Sequence, residues 1–268
     1  MPGGIFSILK FLTSLPIMRQ RFILMLLTGF VLNACQSPSS PEFSSANIHD
    51  LDSTIVPDAE IEASIAPLRD SLESIMHEVI GENQQTIYPG KPGTSLSNFV
   101  ADLIKKAAEK EINKKDKTSL PVIAVINIKG LRAPLPEGKI EVEDIFALMP
   151  FENQMVILTH SGKEIRELFR HMGESNGDGI AGASFTYNDG EVINPQVNRE
   201  PLKEDTLYYV ATSDYLAEGG DHYNIFAGAE EKYTSSRKIR DLIIDHIRNL
   251  TNKGQVIDPP HNQRIIIN

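Results

Sequence analysis

Apolar residues recur at helical spacing in several stretches of the chain. Between Pro57 and Ser74, and just beyond, Ile61, Ile65, Leu68, Leu72 and Ile75 fall on one side of a helix, with Pro67 as an interruption that could divide it. A second helix carries Leu96, Phe99, Val100, Leu103, Ile104, Ala107 and Ala108 on one stripe, and Thr94 or Ser95 can cap it. Val142 to Leu148 forms a short helix. Ser161 caps another, whose inner face holds Ile165, Leu168, Phe169 and Met172. A last helix is expected from Ser235 or Ser236, burying Ile239, Leu242, Ile243, Ile247 and Leu250.

Strand patterns lie between these helices. Val122 to Ile126 is a continuous apolar run bounded by Pro121 and Asn127, the pattern of a strand buried on both faces. Met76 to Tyr88, Asn153 to Thr159 and Thr206 to Thr212 also have strand character. Ser184 to Asn188 and Glu191 to Asn194 flank Asp189-Gly190, a pair suited to a tight type I′ hairpin turn. Tyr88 to Gly93 is a turn cluster, and Asn176 to Gly179 is a loop. Helices and strands alternate but a hairpin is mixed in. The expected fold is therefore mixed α/β, a mixed sheet with helices packed on its faces, in one domain over residues 57–268.

The N-terminal pattern is different. Phe22 to Leu32 is apolar, too short to span a bilayer but of the length of a signal-peptide core, and Arg19 and Arg21 precede it. Leu32-Asn33-Ala34-Cys35 follows and resembles a bacterial lipobox. That resemblance implies acylation of Cys35 and removal of residues 1–34. Met18 is a more ordinary signal start than Met1. Residues 35–56 are then the lipidated cysteine and a tether rich in Ser and Pro. The expected location is the bacterial cell envelope, with the domain outside the cytoplasm and held to a membrane by lipid.

The remaining composition narrows the chemistry. The formal charge is −10, and such a surface repels a long nucleic-acid backbone. A small nucleotide needs only a local positive site. Cys35 is the sole cysteine, so no intrachain disulfide forms. The seven histidines show no metal-ligand spacing.

Four motifs in order carry a resemblance. They are Ser97-Asn98-Phe99-Val100-Ala101-Asp102; Val125-Ile-Asn-Ile-Lys-Gly-Leu-Arg132; Met149-Pro-Phe-Glu-Asn-Gln-Met-Val156; and Ala211-Thr-Ser-Asp-Tyr-Leu-Ala-Glu-Gly-Gly-Asp221. Together, from about Met76 to Leu250, the chain resembles the C-terminal, nucleotide-binding domain of the 5′-nucleotidase family. The resemblance implies that Phe151 and Tyr215 sandwich a base, an arrangement that tolerates any base. It implies that Asp221 accepts from ribose hydroxyls, that Asn127 sits near base or ribose, and that Arg132 contacts phosphate through paired donors. Gly219 and Gly220 would let backbone approach the ligand closely.

The departures matter as much. Lys129 stands where the family has the first glycine of Asn-x-Gly-Gly-x-Arg. Lys91-Pro92-Gly93 stands where it often has an arginine. The chain contains neither the Asp-x-His nor the Gly-Asn-His motif with which the family's other domain binds two metals. The expectation is therefore nucleotide or nucleoside binding, no cofactor or metal on this chain, and hydrolysis only with a separate metallophosphoesterase chain. A stand-alone binding lipoprotein, or an interaction lipoprotein with a vestigial site, are the alternatives.

Each residue also has a plainer reading. Phe151 and Tyr215 can be core aromatics, Arg132 a surface ion pair, and Asp221 a turn residue. His160-Ser161 reads as a cap rather than a nucleophile, His246 as a core histidine, and His222 as a neighbour of the ligand at most. The stretch Lys105 to Lys117 reads as a solvated helix face.

Overall fold

The computed structural model describes Met25 and residues 55–114 and 120–268. Cys35, Met18 and most of the signal and tether segments lie outside the described residues. Residues Ala59–Asn268 form a compact unit.

In chain order, the helices of this unit are α1 (Ala59–Met76), α2 (Ser95–Lys114), α3 (Val142–Leu148), α4 (Gly162–Glu174), α5 (Asp214–Ala217) and α6 (Ile239–Thr251). The strands are β1 (Val79–Asn83), β2 (Val122–Ile126), β3 (Gly138–Glu141), β4 (Gln154–Ser161), β5 (Gly179–Ala181), β6 (Ala183–Asn188), β7 (Glu191–Val197), β8 (Glu200–Pro201), β9 (Leu207–Ser213), β10 (Glu231–Lys238) and β11 (Ile265–Ile267). The central sheet has the order β10-β4-β9-β2-β5. Only β2 and β9 in it are parallel; the other neighbours are antiparallel. A second sheet runs β11-β6-β7-β8, and β1 pairs with β3.

The central sheet divides two cores because side chains alternate across it. On β2, Val122, Ala124 and Ile126 face the core formed with α2, α3 and α6, while Ile123 and Val125 face the core formed with α4 and the second sheet. On β4, Met155 and Ile157 likewise oppose Val156 and Leu158. This two-sided burial is why β2 reads as an unbroken apolar run. In the second core Phe169 of α4 stacks on Phe185 of β6, with ring centroids 4.6 Å apart.

Several expected elements keep their type with shifted ends. Pro67 lies inside α1 without dividing it. The strand expected from Met76 shrinks to Val79–Asn83, because Met76 closes α1. Asp189 and Gly190 both have positive φ, as a type I′ turn requires. One expectation fails outright. Ser235 and Ser236 do not start the last helix; they sit in β10, the edge of the central sheet, and α6 begins at Ile239. The cause is visible in the sequence: Glu231 to Lys238 has no apolar face for a helix to bury, and charged side chains suit an exposed sheet edge.

Candidate functional site

The motif residues converge because of strand direction. β2 and β9 run parallel and β4 runs against them, so the ends of β2 and β9 and the start of β4 share one sheet edge. Asn127 follows β2, Tyr215 lies on α5 just after β9, and Phe151 sits in the loop just before β4. A cavity of about 290 Å³ at this edge is lined by Asn127, Lys129, Gly130, Arg132, Phe151, Asn153, Tyr215 and Asp221.

The two aromatics are not core residues. Phe151 is 44% exposed and Tyr215 46%, so both rings keep open surface at the cavity. Arg132 is exposed, and among the described residues its guanidinium has no carboxylate partner. An exposed aromatic pair and an unpaired guanidinium around one cavity leave stacking and anion contacts available to a ligand.

Asp221 is the polar centre. Asn127, only 4% exposed, donates through Nδ2 to Asp221 Oδ2 at 2.7 Å. Lys129 Nζ lies 3.2 Å from Asp221 Oδ1. The Tyr215 hydroxyl accepts from the Asp221 backbone N–H at 3.2 Å and lies 3.4 Å from Oδ1. Burial pushes the Asp221 carboxyl up, but the hydrogen bonds from Asn127 and Lys129 outweigh it and hold the group below its ordinary value. The carboxylate is therefore ionised and ready to accept. Lys129, the residue in place of a glycine, spends its charge on that carboxylate rather than projecting freely.

The glycines act on the protein rather than at the cavity wall. Gly219 has φ of 89° and makes the turn after α5. A Cβ on Gly220 would lie 2.5 Å from the Tyr215 ring, so Gly220 is the floor on which that ring rests. Neither glycine lines the cavity.

The sequence reading missed Asp178, which it placed in a plain loop. Asp178 is buried. It accepts from the Ile128 backbone N–H at 2.9 Å and from the Tyr223 hydroxyl at 2.6 Å. It thus ties the turn that carries Lys129 to the turn that carries Asp221. Burial raises its pKa, against the hydrogen bonds from Ile128 and Tyr223. The available signal was an acid between Gly177 and Gly179, where a short side chain can reach backbone N–H groups.

The other candidates resolve into structural roles. Ser161 and Glu164 cap α4 reciprocally, with the Ser161 N–H donating to Glu164 at 2.8 Å. His160 is buried beside them against Phe226. His246 is half-buried and sets its ring edge-on to Phe99. Lys91 donates to the Ser175 carbonyl and does not line the cavity. Among the described residues one trio could hold a cation, His77, Glu141 and Glu143; none of the three lines the cavity.

Residues 79–228 match the family described as 5′-nucleotidase, C-terminal domain. The trifunctional nucleotide phosphoesterase protein YfkN of Bacillus subtilis (strain 168) is 23% identical over 232 residues, covering 78% of this chain and 15% of that protein. The 5′-nucleotidase of Diplobatis ommata is 23% identical over 245 residues, covering 81% of this chain and 41% of that one. Among solved structures, the 5′-nucleotidase precursor of Thermus thermophilus superposes with a TM-score of 0.63 at 20% identity, covering 77% of this chain and 42% of that chain. The chain thus spans less than half the length of these relatives.

Proposed function

Because the chain belongs to the 5′-nucleotidase family through its C-terminal domain, we propose that the cavity at the sheet edge binds a nucleotide or nucleoside as the recognition half of a 5′-nucleotidase-type hydrolase. The base lies between Phe151 and Tyr215, Asp221 accepts from the ribose hydroxyls, and Arg132 meets the phosphate. Stacking on the two rings supplies about 1–3 kcal/mol for each ring removed by alanine. The observation that carries this reading is the gathering of Asn127, Arg132, Phe151, Tyr215 and Asp221, from three separate segments of the chain, around one cavity.

Hydrolysis of the 5′-nucleotidase type draws on metal-activated water. The cavity lining does not fit a dimetal centre: it offers one carboxylate, already bonded to Asn127 and Lys129, and no histidine. A metallophosphoesterase domain on a separate chain is the source we propose for the metals. We also propose that Cys35 is lipidated and holds the domain at a membrane in the cell envelope, outside the cytoplasm.

Calorimetric titration of the chain from Gln36 onward with AMP and adenosine tests the binding reading. Saturable heat in the parent, with an affinity that Phe151→Ala lowers by at least about fivefold, is the expected result. A folded protein giving no heat with either ligand would mean that the fold has outlived the site.

A further inference from the structure

The helix α1 presents an apolar seam to solvent. None of its residues is buried. Leu68 is 74% exposed, Ile75 55% and Leu72 53%, and Ile65 and Ile61 are exposed as well. A helix that packs on its own domain hides such residues. Moreover, the spacing is strict. Ile61, Ile65, Leu68, Leu72 and Ile75 follow one another by four, three, four and three residues, the 3.5-residue repeat in which alternate members are the a and d positions of a heptad. The stripe is narrow: the g-type flank carries Ser64 and Ser71, and Pro67 stands at a c position away from the seam. A two-in-seven stripe of this kind fits another helix, whereas a helix facing a globular core shows a broader one.

The flanking charges identify which helix. The e positions along the seam hold Glu62 and Arg69, which pair with each other along the same helix at 2.8 Å, and the last e position, Met76, packs against the domain's own core. In an antiparallel pair of helices the a residues of one pack against the d residues of the other, and e faces e. Aligning Ile65 with Leu68 of a second copy brings Glu62 of each copy to the level of Arg69 of the other, twice by symmetry. The parallel alignment instead sets Ser64 against Arg69 and gains no opposite-charge pair. We infer that α1 is a self-association helix that pairs antiparallel with α1 of a second copy of this chain, through Ile61, Ile65, Leu68 and Leu72. An isologous two-fold contact closes after two copies, and no residue of α1 lines the cavity. A seam of 18 residues is about 27 Å long, so the dimer is concentration-dependent, and co-residence on a membrane would favour it.

The test uses the full chain with Cys35→Ser, purified in detergent, so that introduced thiols are the only ones. Mixing a chain carrying Ile65→Cys with one carrying Leu68→Cys is expected to give a disulfide-linked dimer, while either variant alone gives little. Cross-linking of either variant with itself would establish a parallel pair and overturn the assignment. No cross-linking in any mixture would overturn self-association altogether, leaving a different protein as the cover. Sedimentation gives an independent readout: Leu68→Glu should convert dimer to monomer with an unchanged circular-dichroism spectrum, because the side chain is exposed. Glu62→Arg and Arg69→Glu should each weaken the dimer by about threefold, and the double exchange should restore it. Failure of restoration would remove the antiparallel register. None of these readouts involves nucleotide, so their failure is separable from failure of the binding proposal.

Discussion

Lys129 Nζ stands 3.2 Å from Asp221 Oδ1, at the mouth of the cavity where a ribose would place its hydroxyls. The lysine is well exposed and the carboxylate is not, so the pair is an ion pair in contact with water on one side only. A ligand hydroxyl must share Asp221 with this cation or displace it.

Replacing Lys129 with alanine should therefore tighten adenosine. With the lysine open to water the ion pair is worth roughly 0.2–1 kcal/mol, so the expected gain is about 1.4- to fivefold in dissociation constant. Titration of the variant and the parent with adenosine decides it. Weaker binding in the variant would instead make Lys129 a direct ligand contact.

The exposed aromatics lead to a prediction with two readouts. Phe151→Ala and Tyr215→Ala remove rings that are close to half exposed, so the unfolding free energy in urea should fall by no more than about 1 kcal/mol for Phe151→Ala, and by more for Tyr215→Ala, whose ring rests on Gly220 and whose hydroxyl accepts from the Asp221 N–H. Nucleotide affinity should fall by about 5- to 150-fold in each, the range of one lost stack. Tyr215→Phe keeps the face and should bind nearly as well, losing only the hydroxyl's contacts with Asp221. Loss of stability in step with loss of binding would return these residues to the status of packing groups.

What the sequence revealed of this site followed from how local each signal was. The apolar run Val122 to Ile126 and the capped helix after Ser161 announce themselves within a few residues, and both stand where the pattern puts them. Phe151, Tyr215, Arg132 and Asp221 were legible through motif order rather than through chemistry, since no local pattern says that loops distant in sequence will meet. Asp178 was hidden because its partners, Ile128 and Tyr223, lie 50 and 45 residues away on either side. β10 was hidden because an edge strand with charged side chains has no apolar alternation to display. Gly219 and Gly220 read as ligand contacts through the motif they share with Tyr215 and Asp221, whereas Gly220 instead lies under the Tyr215 ring.

The Asp178–Tyr223 contact should act as a brace. Tyr223→Phe leaves the ring and removes the hydroxyl that donates to Asp178 at 2.6 Å, so the buried carboxyl keeps the Ile128 N–H and loses its side-chain donor. The cost expected for that loss is about 1–3 kcal/mol of unfolding free energy, read in urea. Nucleotide binding should weaken as well, because the turns bearing Lys129 and Asp221 are no longer tied together. A variant that is less stable but binds with unchanged affinity would show that Asp178 supports the fold and does not position the site.

Acid should destabilise the domain through His160. Its ring is buried against Phe226, and burial lowers its pKa, with Glu164 opposing. A group that is harder to protonate in the folded state takes up protons preferentially when the chain unfolds. Its contribution is therefore complete above the ordinary histidine value of about 6.5 and declines as pH falls below it. His246, also lowered chiefly by burial, adds a decline of the same sign. Burial pushes Glu164 up, but the Ser161 hydrogen bonds outweigh it and hold the group below its ordinary carboxylate range, so it titrates at lower pH, outside this window. Unfolding free energy measured in urea from pH 7.5 to pH 5 should fall for the parent, and more gently for His160→Leu; His246 adds to what remains, while the exposed His77, raised by its hydrogen bond with Glu141 and by Glu143, opposes it. Equal slopes in the two proteins would remove His160 from the acid response and leave His246 to explain it.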